Sequence, residues 1–201
     1  MYLKTDTPMK RFTFNKSEEF CFFDHNELSS AMLEKTGPYH IPRAVNFESV
    51  DSFYCARRPK FMVKRKLLLF QMTVSSTYPV LGEGIVALLK AVEWLDRAVK
   101  DPAARVALIF VFPGDSEKVI DHEQLTPAAD GESVTVIPGI GDEMATALGE
   151  VEVHTLGDFR SKLPELKRGR KGLLKQCVEN FETYEKTEAM LKQIPQYVWK
   201  V

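Results

Sequence analysis

What this chain lacks narrows it first. Its three cysteines, Cys21, Cys55 and Cys177, are far apart and form no CxxC pair. That excludes a zinc ribbon and a disulfide scaffold, and suits a reducing compartment. No apolar run approaches the roughly 18 residues of a bilayer-spanning helix, so no membrane span is expected. The first residues are polar and charged, which is not how a secretory leader is written. His25, His40, His122 and His154 show no metal-ligand spacing. A GxSxG elbow, a Walker loop and a dinucleotide fingerprint are all missing. A formal net charge of -1 removes any global electrostatic sign of a nucleic-acid partner.

The 201 residues hold one domain of ordinary size, or one with a small appendage. Apolar residues make up 44%, with 13 phenylalanines, enough for a filled core and too many for a disordered chain. Charge is uneven along the chain. Arg57–Lys66 holds six basic residues and no acid, Arg160–Lys171 six basic and one acid, and Asp115–Glu132 six acids and one lysine. Such runs are ordinarily solvated faces, but two basic ones invite a polyanion.

Hydrophobic spacing predicts a loose start, then a helix over Ser17–Leu33 with Phe20, Phe23, Leu28 and Met32 inward, ended by Gly37-Pro38. Ile41–Asn46 reads as a connection, and Val50–Cys55 and Phe61–Val74 as strands. Leu67-Leu68-Leu69-Phe70 is too continuous for an edge and marks a strand buried on both faces. Gly84–Val99 has a helical stripe of Ile85, Leu88, Leu89, Val92, Leu95 and Val99, stopped by Asp101-Pro102. Arg105–Phe112 is a second buried strand. Strand, helix and strand in this order predict an α/β fold with a mixed or parallel sheet flanked by helices. Leu173–Leu191 reads as a further helix, and Gln196–Val201 alternates like a last strand returning to the sheet. The expected organisation is a core over 1–114, an acidic linker over 115–132 and a helical element with the closing strand over 133–201.

Val136–Phe159 reads VIPGIGDEMATALGEVEVHTLGDF. Gly139-Ile140-Gly141, then Ala145 and Leu148 at helical spacing, a short apolar hairpin, and Thr155-Leu156-Gly157-Asp158-Phe159 spell a helix-hairpin-helix-like unit. Its glycines let backbone N–H groups approach a nucleic-acid phosphate beside a helix start. Gly139 and Gly141 are the candidate backbone contacts, and Lys167, Arg168, Arg170 and Lys171 the candidate side-chain contacts. Contacts of that kind position a backbone without reading bases. Asp142 and Glu143 in the first turn cap a helix well and repel a phosphate placed too near. A packing or protein-interaction role for the hairpin therefore stays open.

Asp51 opens the first predicted central strand, while Gln71 and Thr73 lie two apart on the next and share a face. An acid and an amide oxygen at strand ends are a candidate set for Mg²⁺, which polarises a phosphate and generates hydroxide. Glu27, Glu34, Glu48 or the backbone at position 72 would supply a third oxygen. Lys64 and Lys66 are the lysines of the same strand, with Lys66 the candidate to orient water. Equally, Asp51 caps a turn and Gln71 satisfies a buried backbone group.

Phe70-Gln71-Met72-Thr73-Val74-Ser75, then Tyr78-Pro79, the Gly84–Val99 helix and Ala107–Phe112 with Pro113 resemble the C-terminal effector region of Crinkler and retrotransposon-hot-spot proteins. That region has a YQxTxSxxHP-like strand end, a helix and an apolar strand ending in proline. The resemblance covers about residues 41–113. It implies a restriction-endonuclease-like, PD-(D/E)xK-type domain acting on double-stranded DNA in a nucleus, that of a host cell included. It makes Asp51 the first metal-binding acid, Gln71 the counterpart of the second acid or glutamine, and Thr73 the place where many relatives of the wider superfamily keep lysine. Tyr78 stands where the family has histidine. Three readings follow: a Mg-dependent deoxyribonuclease, a catalytically inactive DNA-binding effector of the same fold, and a protein-interaction module.

Overall fold

Leu67 to Phe70 and Val106 to Ile109 are each at most 2% exposed, and this two-sided burial makes their strands the centre of the sheet. A computed structural model of the chain describes residues 20–34, 39–44, 47, 50–56, 65–73, 80, 82–113, 129–168 and 172–200. Six strands form one mixed sheet in chain order: β1 (Phe20–Phe23), β2 (Tyr39–Pro42), β3 (Ser52–Ala56), β4 (Lys66–Met72), β5 (Val106–Phe112) and β6 (Gln196–Lys200). β1 is parallel to β2, β3 is antiparallel to both of its neighbours, and β4, β5 and β6 are mutually parallel. One rim therefore collects the carboxyl ends of five strands and the amino end of β3.

Among the described residues, three helices run between β4 and β5: α1 (Gly82–Ala91), α2 (Leu95–Lys100) and α3 (Pro102–Arg105). Ile85, Leu88 and Leu89 of α1 pack with Phe53, Cys55, Leu67, Leu69, Leu108 and Phe110 on one face of the sheet. Tyr54, Leu68, Phe70, Ala107, Ile109 and Tyr197 form a second apolar cluster on the other face. Each fully buried side chain of this size contributes about 1.5–3 kcal/mol over the exposed state.

Three expectations need correcting. The helix expected over Ser17–Leu33 is absent from its described part, Phe20–Leu33: Phe20–Phe23 is an edge strand, followed by 3-10 turns at His25–Glu27 and Ser30–Leu33. The four-residue run Phe20-Cys21-Phe22-Phe23 alternates its faces, with Phe23 buried and Phe20 and Phe22 exposed. The connection at Ile41 belongs to β2. The Gly84–Val99 helix is broken, because burying Trp94 outweighs continuing the turn. Glu93 adopts φ 54°, Trp94 N–H donates to Leu89 O at 2.7 Å, and Trp94 is 2% exposed.

The chain divides into two compact units, 1–126 with 190–201, and 127–189. The returning strand β6 thus belongs with the sheet rather than with the helical element. The helical unit contains α4 (Asp142–Gly149), α5 (Leu156–Leu166) and most of α6 (Leu173–Gln193). Its core gathers Val134, Ile137, Leu148, Leu156, Phe159 and Phe181 among others. Phe159 and Phe181 stack with centroids 4.1 Å apart at 3°. Most of the expected acidic linker, residues 115–128, lies outside the described residues.

Candidate functional site

The antiparallel register pairs Ser52 with Phe70, so one step further Asp51 stands opposite Gln71 at the rim. Alternation from Leu67 and Leu69 puts Gln71 on the helix-covered face. Asp51 N–H donates to Phe70 O at 2.8 Å, and Asp51 Oδ2 accepts from Met72 N–H at 2.6 Å. One carboxylate oxygen is thereby fixed at the end of β4. Burial pushes the Asp51 carboxyl above the usual range, and the Met72 N–H partly opposes that shift. Gln71 is 6% exposed, an amide in a strand otherwise apolar around it. Thr73 extends the same rim and donates its N–H to Val111 O at 3.0 Å.

Lys66 does not join them. It lies at the opposite end of β4, on the face of Leu68 and Phe70, with its Nζ donating to Ala103 O at 2.8 Å and 5.9 Å from the Tyr197 ring centroid. The signal available in the sequence is parity: Gln71 is five positions after Lys66, an odd step that reverses the face. Sequence reasoning missed the Asp24–Arg43 pair, Nη1 to Oδ2 3.1 Å, at the carboxyl ends of β1 and β2 and so on the same rim. Nothing in the local pattern announces it, since neither β1 nor β2 is legible as a strand in the sequence.

Asp51 and Gln71 offer one carboxylate and one amide oxygen. No group of three or more His, Cys, Asp or Glu side chains among the described residues is arranged to hold a metal. Glu27 and Glu34 therefore do not complete a carboxylate cluster, and Glu48 lies outside the described residues. Two protein oxygens suit Mg²⁺ best, since that ion keeps waters and takes further oxygens from a phosphate.

In the helical unit, Gly139 adopts φ 88°, and its carbonyl accepts from Asn180 Nδ2 at 3.1 Å. A Cβ there would also meet Asn180 Nδ2 at 2.9 Å, but it is the positive φ that requires glycine here. Gly141 caps α4 and is exposed, with nothing within 4 Å of a Cβ placed on it. Asp142 and Glu143 follow it, both exposed.

A turn with Glu152 at φ 55° leads to α5, whose start is a capping box. Thr155 Oγ1 accepts from Asp158 N–H at 3.2 Å, and Asp158 Oδ2 accepts from Thr155 N–H at 3.0 Å and His154 N–H at 3.1 Å. These bonds, His154 N–H first, hold the Asp158 carboxyl below its ordinary value. Lys167 pairs with Glu182 at 2.6 Å, while Arg168 makes no ion pair among the described residues. Arg170 and Lys171 lie outside the described residues.

No family model, no curated protein and no solved structure matches this chain. No helix among the described residues is long and apolar enough to cross a membrane.

Proposed function

We propose that this protein binds double-stranded DNA and hydrolyses its phosphodiester bonds with Mg²⁺ held by Asp51 and the Gln71 amide oxygen. The observation that carries this reading is the opposition of those two residues across β3 and β4, at the rim where the parallel strands end. Carboxyl ends of parallel strands are where open α/β sheets present ligand sites. The order β2, β3, β4, helix, β5, with an antiparallel meander followed by a parallel crossover, supports a restriction-endonuclease-like core. So does the resemblance to Crinkler and retrotransposon-hot-spot effector regions, which also carries the expectation of a nuclear site of action.

When bound, Mg²⁺ supplies charge stabilisation at the scissile phosphate and an activated water. The protein's own part is positional. Met72 N–H fixes Oδ2 of Asp51 and so orients the carboxylate. The raised carboxyl affinity for protons marks a site where a cation relieves an unfavourable buried charge. The exposed Gly141 start of α4, with Arg168 in the same unit, serves as a backbone contact of the helix-hairpin-helix type.

Binding without hydrolysis is the second reading, favoured by Thr73 at the lysine position and by Lys66 on the far face. Duplex cleavage with Mg²⁺ or Mn²⁺, with and without EDTA, tests the choice. Metal-dependent nicking that is lost in Asp51→Ala supports the nuclease. Retained DNA binding with no cleavage selects the inactive binder. A flat low-salt titration with both DNA and RNA rejects nucleic acid as the ligand and leaves a protein partner.

A further inference from the structure

His40 is the exception among the buried polar groups. It is 2% exposed, and its Nδ1 is the one buried side-chain nitrogen or oxygen among the described residues with no hydrogen-bond partner. In register it lies beside Cys21 of β1 and Phe53 of β3. Its ring stacks on Phe53 with centroids 4.7 Å apart at 18°. The other edge of the ring bonds the backbone of Met32, in the 3-10 turn Ser30–Leu33. Two more ties dock that turn: Leu33 is buried in the sheet core, and Arg65 Nη1 donates to Leu33 O at 2.6 Å.

A neutral imidazole fits this place, with one N–H on the Met32 carbonyl and one bare lone pair. A second proton would put an N–H where no acceptor lies and a charge where no anion answers it. β1 presents Cys21 as its titratable neighbour, and β3 presents Phe53, which carries no charge. The turn brings the Met32 carbonyl and, at its exposed end, Glu34; the Arg65 cation sits at Leu33. Neither a carboxylate nor a cation of the described residues contributes to the proton affinity of His40, which burial lowers and the Met32 backbone partly restores.

We propose that His40 is an acid-sensitive pin, and that a proton taken up at Nδ1 releases the Ser30–Leu33 strap from the sheet while the central strands stay folded. The closed strap prefers the neutral ring, whereas the released ring has the ordinary histidine value of about 6.5. Opening is therefore hardest above that pH. It grows by up to about tenfold per pH unit below it, one proton per opening, until the lowered value of the closed state is reached. This device is independent of any phosphodiester chemistry at Asp51.

Hydrogen exchange on the intact chain, at about pH 7.5 and about pH 5.5 and corrected for intrinsic exchange, reads it directly. Amides of residues 30–34 are expected to open several-fold more at the lower pH, with those of 67–71 and 106–111 unchanged. His40→Gln keeps a donor for Met32 and takes up no proton, so its strap should lose the acid step. A wild-type strap whose opening ignores pH overturns the proposal, as does the same acid step persisting in His40→Gln. The wild-type His40 ring titration by NMR decides the matter if that variant fails to fold: a midpoint below the ordinary histidine value of about 6.5 supports the pin, and one at or above it contradicts it.

Discussion

The sheet unit and the helical unit both bury apolar clusters, but they differ in the polar groups they bury among them. In the helical unit polar atoms are tied to one another. Arg160 bridges Asp130 and Glu185, and Lys162 Nζ bonds Val151 O at 3.0 Å and Glu152 Oε2 at 3.0 Å. Lys167 holds Glu182, and Thr155 and Asp158 cap α5. In the sheet unit polar groups stand among apolar strands: Gln71 at 6% exposure, His40 with an orphaned nitrogen, and Asp51 with one oxygen fixed. In the helical unit charge serves structure first. The basic run Arg160–Lys171 looks like a phosphate surface in composition, yet Arg160, Lys162 and Lys167 already have carboxylate partners.

The strongest way to probe the comparison is to break the helical core. Phe159→Ala removes the partner stacked on Phe181 and should cost about 3–5 kcal/mol. Chemical denaturation monitored by hydrogen exchange over residues 130–189 checks this. Next in size is the cap. Thr155→Ala removes the side-chain acceptor for Asp158 N–H and should cost about 1 kcal/mol, read as a lower denaturation midpoint.

Asp51→Asn reverses the sign. A folded carboxyl with raised affinity for protons contributes stability only at low pH, and that contribution is lost as pH rises through its folded value. The variant should therefore melt higher than wild type at neutral pH, and the gap should close below about pH 3.9. A lower melting temperature at neutral pH would make Asp51 a structural residue. The smallest effect on stability belongs to Arg168→Ala. It should leave the melting temperature unchanged and reduce the salt dependence of DNA affinity by about one released ion.

Much of the sheet could be read from Leu67–Phe70 and Ala107–Phe112, because strands buried on both faces are written as continuous apolar runs. The closing strand was legible in the alternation of Gln196–Val201. The edges were not. Phe20–Phe23 and Tyr39–Pro42 are four residues each, too short for periodicity to separate strand from helix. The break at Glu93 was also hidden, since no glycine or proline marks it and the cause is the distant burial of Trp94. At the site, opposition of Asp51 and Gln71 follows from strand order and register. The Met72 N–H and the isolation of Lys66 required coordinates.

The central claim is that Asp51 and Gln71 hold a divalent metal at the sheet rim. Calorimetric titration of the intact protein with Mn²⁺ at neutral pH tests it most directly. Wild type should bind saturably, Asp51→Ala should lose that binding and Gln71→Ala should weaken it. Equal Mn²⁺ affinity in all three proteins would contradict it.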